Sequence, residues 1–93
     1  MLEMKLYIHG SVQGVGYRYS IIEHIERNQI MVTGYVTNLP NGTVEILAYG
    51  DIEALKDLRR SALEGSSRSV VREIEESIHE VTESPYSSFD IKY

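Results

Sequence analysis

Polar and apolar positions alternate at the start of the chain. Met4, Leu6 and Ile8 fall on one side and Lys5, Tyr7 and His9 on the other, which predicts a half-buried strand over Met4–Gly10. The period then lengthens. Tyr17, Ile21, Ile22 and Ile25 recur at helical spacing, with Glu23, Glu26 and Arg27 toward water, so a helix is expected from Tyr17 to about Asn28. Isoleucine is a mediocre helix former, and packing must supply much of that helix's stability. Alternation returns over Met31–Thr37, where Gly34 marks either a bulge or a close backbone approach. Asn38-Leu39-Pro40-Asn41-Gly42 is turn chemistry, and the β-rich run Thr43–Tyr49 completes a hairpin. Asp51 is placed to cap a second helix, whose stripe of Ile52, Leu55, Leu58, Ala62 and Leu63 stops at Gly65. Ser66–Ser69 reads as a polar loop. Val70–Val81 fits both periods; the Val70-Val71 pair favours a strand, with a bulge expected in it. Beyond Pro85, Ser88–Tyr93 alternates again and predicts a short last strand.

The order β-α-β-β-α-β plus a terminal strand is that of a ferredoxin-like α+β sandwich. It implies an antiparallel sheet with two helices on one face. Residues 1–93 form a single domain in this reading.

Composition narrows the function. The net charge is −5, so no broad basic face is available for nucleic acid, and any positive field must be local. The absence of cysteine excludes disulfides, thiolate metal ligands and a cysteine nucleophile. No apolar run approaches the ~20 residues that span a bilayer, and Met1–Lys5 lacks a signal-peptide layout. A soluble, cytoplasmic monomer without membrane or nucleic-acid partners is expected.

The local positive field has an obvious place. Gly10, Gly14 and Gly16 fall within seven residues between the first strand and the first helix, and Arg18 follows. Glycine lets backbone N–H groups approach an anion closely, and the helix start adds free N–H groups and a positive dipole end. Arg18 could grip a phosphate at two points. The loop lacks the lysine and hydroxyl of a Walker A sequence and the third glycine of a dinucleotide fingerprint. A tight connection with no ligand remains the plain alternative, as does a surface ion pair of Arg18 with a glutamate. Asn38 by itself is an ordinary turn residue. If its strand neighbours the first strand, it could meet Arg18 and orient a water. The turn alone explains Asn41. His9 either tunes the loop or is a hydrogen-bonded strand residue. His9, His24 and His79 share no ligand spacing, and the tyrosines, lacking a basic background, read as packing residues.

The segment Gly10-Ser11-Val12-Gln13-Gly14-Val15-Gly16-Tyr17-Arg18 resembles the acylphosphatase signature G-x-V-Q-G-V-x-[FY]-R. Gly34-Tyr35-Val36-Thr37-Asn38-Leu39-Pro40-Asn41-Gly42-Thr43-Val44-Glu45 resembles the family's second signature, G-[FWY]-V-x-N-x-x-[DN]-G-[ST]-V-E. The similarity covers nearly the whole chain. It implies an enzyme that hydrolyses the carboxyl-phosphate bond of acyl phosphates to a carboxylate and inorganic phosphate. By the same resemblance, Gln13, Gly14, Val15, Gly16, Tyr17 and Arg18 hold the phosphate, and Asn38 positions the attacking water. The catalytic residues are then Arg18 and Asn38, with no metal, cofactor or covalent intermediate, and inorganic phosphate is expected as product or inhibitor. Three features depart from the family pattern. The interval from Arg18 to Asn38 is slightly long, with extra residues expected near Arg27–Met31. Gly65-Ser66-Ser67 stands where Gly-Pro-Pro is common, so a more mobile loop is expected. The usual leucine-glycine exit of the first helix is missing around Gln29-Ile30.

Overall fold

The computed structural model describes residues 1–93. Its elements are β1 (Leu2–Ser11), α1 (Tyr17–Asn28), β2 (Thr33–Asn38), β3 (Val44–Gly50), α2 (Ile52–Glu64), β4 (Val70–Glu80) and β5 (Phe89–Ile91). The strands form one sheet in the order β4-β1-β3-β2-β5. Met4, Leu6 and Ile8 of β1 join Val36, Val44, Ile46 and Ala48 on the inner face, packed against Tyr17 and Ile21 of α1 and Leu55, Leu58 and Ala62 of α2. The alternation of β1 is thus the division between core and open face.

The first four strands pair antiparallel, but β5 runs parallel to β2, with Gly34 opposite Phe89 and Val36 opposite Ile91. The sheet is therefore mixed, where the sequence reading expected an antiparallel one. Chain direction explains this. β4 lies at one edge and runs opposite to β1 and hence to β2. The segment after β4 then passes Met1 and Thr33, at the starts of β1 and β2, to reach the far edge, and from that end β5 runs in the direction of β2.

Gly34 makes a close approach and no bulge. A Cβ there would lie 1.9 Å from the Leu47 carbonyl oxygen, and the β2–β3 register is continuous. The bulge lies in β4, as expected for that segment. His9 faces Glu73 and Gly10 faces Val71, which leaves Arg72 as the extra residue. Asp51 caps α2 by accepting the Ala54 N–H at 3.0 Å. At the end of α1, Gln29 takes the left-handed conformation, φ 53°, that usually falls to glycine.

Candidate active site

Five residues, Val12–Gly16, link β1 to α1. Buried Val12 anchors the link to the core. Gly14 and Gly16 both have positive φ, 73° and 78°. A Cβ at either would meet nothing within 4 Å, so backbone conformation and not space requires glycine there. Gly16 is the N-cap of α1; no side chain caps that end, and no acidic residue lies in its first turn. None of the N–H groups from Gln13 to Tyr19 has an internal hydrogen-bond partner. Left-handed residues within such a loop turn successive N–H groups toward one concavity, and the helix dipole adds to their positive field. The result is a backbone cradle suited to a small anion.

The side chains divide differently from the sequence expectation. The Gln13 amide donates to the carbonyls of Leu39 and Thr43 at 2.8 and 2.9 Å. It pins the loop to the β2–β3 hairpin, so Gln13 can offer an anion only its backbone. Tyr17 is buried and its hydroxyl donates to the Ala62 carbonyl at 2.7 Å, locking α1 to α2. Burial pushes its pKa above the usual tyrosine range. Gly14, Val15 and Gly16 likewise could offer an anion only their backbone, which leaves Arg18 as the candidate side chain.

Arg18 takes part in none of the four ion pairs, so pairing with a surface glutamate is not its role. Its guanidinium carbon lies 5.3 Å from the centre of the Tyr93 ring. The Tyr93 hydroxyl in turn sits 3.1 Å from that of Tyr19, a bond that holds the Tyr93 proton above its usual range. Sequence reasoning missed this pair. Alternation alone put Tyr93 on a terminal strand and gave no hint of its neighbour.

Asn38 lies at the same end of the sheet as the cradle, although its strand is not the neighbour of β1. β1 and β2 are not neighbours; β3 lies between them. Ile8 and Asn38 both pair with Val44, so the ends of β1 and β2 share one end of the sheet, two strand spacings or about 10 Å apart. Two links run between those ends. Gln13 reaches the hairpin, as above. Thr37 donates from Oγ1 to the Lys92 carbonyl at 2.6 Å, and the next residue, Tyr93, faces Arg18. The Asn38 Oδ1 is buried and has no hydrogen-bond partner. An unmet buried acceptor costs about 1–3 kcal/mol, and it is suited to receive a hydrogen bond from a water. Asn41, by contrast, accepts from the Thr43 N–H and hydroxyl at 3.1 and 2.6 Å, and belongs to the turn.

His9 bonds Glu75 at 3.1 Å across the open face. It is a satisfied strand residue. No three His, Asp or Glu side chains converge in the fold. On the other side of the cradle, the Ser66 hydroxyl donates to the Val15 carbonyl at 2.7 Å, and Arg68 donates to the Gly14 carbonyl at 3.4 Å. The loop after α2 lacks the common prolines, yet these bonds tie it to the glycine loop.

Known proteins share this arrangement of chain. The acylphosphatase family model matches residues 4–91. An acylphosphatase of Hahella chejuensis is 42% identical over 71 residues, which covers 76% of this chain and 73% of that protein. An acylphosphatase of Bacillus licheniformis is 36% identical over 94 positions, covering 100% of both chains. The crystal structure of acylphosphatase from Bacillus subtilis superposes with a TM-score of 0.88 at 34% identity, over 100% of both chains.

Proposed function

The chain belongs to the acylphosphatase family, a family of acyl phosphate hydrolases, and we propose that it cleaves its substrate in the Gln13–Arg18 cradle with a water held by Asn38. The backbone N–H groups and the Arg18 guanidinium bind the phosphate oxygens, on which charge accumulates during transfer. The water donates one hydrogen to Asn38 Oδ1, which turns an oxygen lone pair toward phosphorus. As the new P–O bond forms, the bond to the carboxyl oxygen breaks. The leaving group is a carboxylate, stable without a proton at neutral pH, so no acid catalyst is needed. The water's proton passes to an oxygen of the phosphate being transferred. The products are a carboxylate and inorganic phosphate, and the latter competes for the same cradle. Residues 1–93 act as one domain and as a monomer.

The observation that carries this reading is the buried, unpartnered Asn38 Oδ1 at the same sheet end as the run of free N–H groups. Hydrolysis in ¹⁸O-labelled water tests it. The label is expected in inorganic phosphate. Label in the carboxylate would mean attack at the carbonyl carbon and would overturn the mechanism.

A further inference from the structure

We propose that Ser66 and Arg68 are positioning residues that hold two consecutive peptide groups of the phosphate cradle in their binding orientation; this rests on the cradle being the phosphate site. The chain has no cis peptide bond. In a trans peptide the carbonyl and the N–H of the next residue point in opposite directions. Ser66 Oγ holds the Val15 carbonyl at 2.7 Å, and so directs the Gly16 N–H away from the loop after α2. Arg68 Nη2 at 3.4 Å from the Gly14 carbonyl does the same, more weakly, for the Val15 N–H. Both N–H groups are among those without internal partners.

The cradle needs such support. Its peptides are flanked by Gly14 and Gly16, and no neighbour within 4 Å of a built Cβ restrains either position. Glycine accepts several conformations at similar cost, so the sequence of the loop does not by itself forbid a flipped peptide that would aim a carbonyl at the phosphate. Ser66 is itself fixed. Its N–H donates to Ser69 Oγ at 2.9 Å, and Ser69 Oγ donates back to the Ser66 carbonyl at 2.9 Å. The hydrogen bond on Val15 also polarises its peptide, which strengthens the Gly16 N–H as a donor. The positive charge of Arg68 adds to the field behind the loop. A loop that composition marks as loose is thus a brace.

The test combines amide NMR titration with inorganic phosphate and steady-state hydrolysis of a small synthetic acyl phosphate. Ser66→Ala is expected to weaken phosphate binding and kcat/KM about tenfold and to shift the Gly16 amide signal in the free protein, with the melting temperature nearly unchanged. Ser66→Thr keeps the hydroxyl and should restore most of the loss. Arg68→Ala should show a smaller, salt-sensitive effect. If Ser66→Ala binds phosphate and turns over within twofold of the parent chain, while phosphate still shifts the loop amides, the brace is wrong and the cradle stands. If phosphate leaves the amides of Gln13–Arg18 unmoved in the parent chain, the cradle reading fails and the brace fails with it. A loss that Ser66→Thr does not rescue would also overturn the proposal.

Discussion

The guanidinium of Arg18 lies against the ring of Tyr93, 5.3 Å from its centre. These residues are far apart in sequence and come from the first turn of α1 and the segment beyond β5. Their contact joins the two halves of the candidate site. Thr37 fastens Lys92 beside Asn38, Tyr93 follows, and Arg18 lies against it. A cation over an exposed aromatic face gains about 0.5–1 kcal/mol, and Tyr93 is 86% exposed. Tyr93→Ala should therefore weaken phosphate binding about two- to fivefold, while Tyr93→Phe, which keeps the ring, should cost less. Competition by inorganic phosphate in a hydrolysis assay measures both. Equal losses would shift the weight from the ring to the hydroxyl bonded to Tyr19.

Asn38→Ala separates turnover from folding. The substitution removes an acceptor that is buried without a partner, so it should not lower stability to urea. It should lower kcat by an order of magnitude or more and change phosphate affinity little. A variant with unchanged kcat would remove Asn38 from the water's path.

The exit of α1 stores a small cost. Gln29 adopts φ 53° without glycine's freedom, a conformation that costs an ordinary residue about 1–2 kcal/mol. Gln29→Gly should stabilise the fold by about 0.5–1 kcal/mol after the entropy of glycine is counted, or raise Tm by roughly 2–8 °C. Thermal melting with activity unchanged is the expected result.

Much of this was legible beforehand because side-chain period reports burial directly. The alternation of Met4, Leu6 and Ile8 and the helical stripe through Leu55 and Leu58 place the core of the fold. Glycines at Gly14 and Gly16 point to left-handed backbone. Period carries no chain direction, however, so the parallel pairing of β5 was hidden. Residue type also does not say where a long side chain goes. Gln13 and Tyr17 sit inside the signature loop, yet the amide of one serves the hairpin and the ring of the other serves the core. Ser66 reads as a loose polar residue until its hydroxyl is seen on the Val15 carbonyl.

Alkali should expose the buried tyrosines. The Tyr49 hydroxyl donates to Glu3, and that bond together with burial pushes its pKa from 10 up to about 12. Tyr17 and Tyr35 are raised as well, each chiefly by burial. A folded pKa above the unfolded one means that the folded state holds the proton more tightly. The stability linked to Tyr49 is complete below pH 10 and is lost as pH rises through about 12. Melts at increasing pH should show Tm falling above pH 10, less steeply in Tyr49→Phe. An unchanged slope in that variant would contradict the assignment.

Arg18 carries the decisive test of phosphate binding. Hydrolysis of a small synthetic acyl phosphate by Arg18→Ala, compared with the parent chain, is its most direct measurement. Arg18 makes no ion pair that the fold requires, so the variant should melt within a few degrees of the parent. Its kcat/KM should fall by about 10²–10³, as for the loss of one donor to a developing phosphate charge. A folded variant that keeps a tenth or more of the parent rate would contradict the claim that this arginine and the Gln13–Arg18 cradle hold the phosphate.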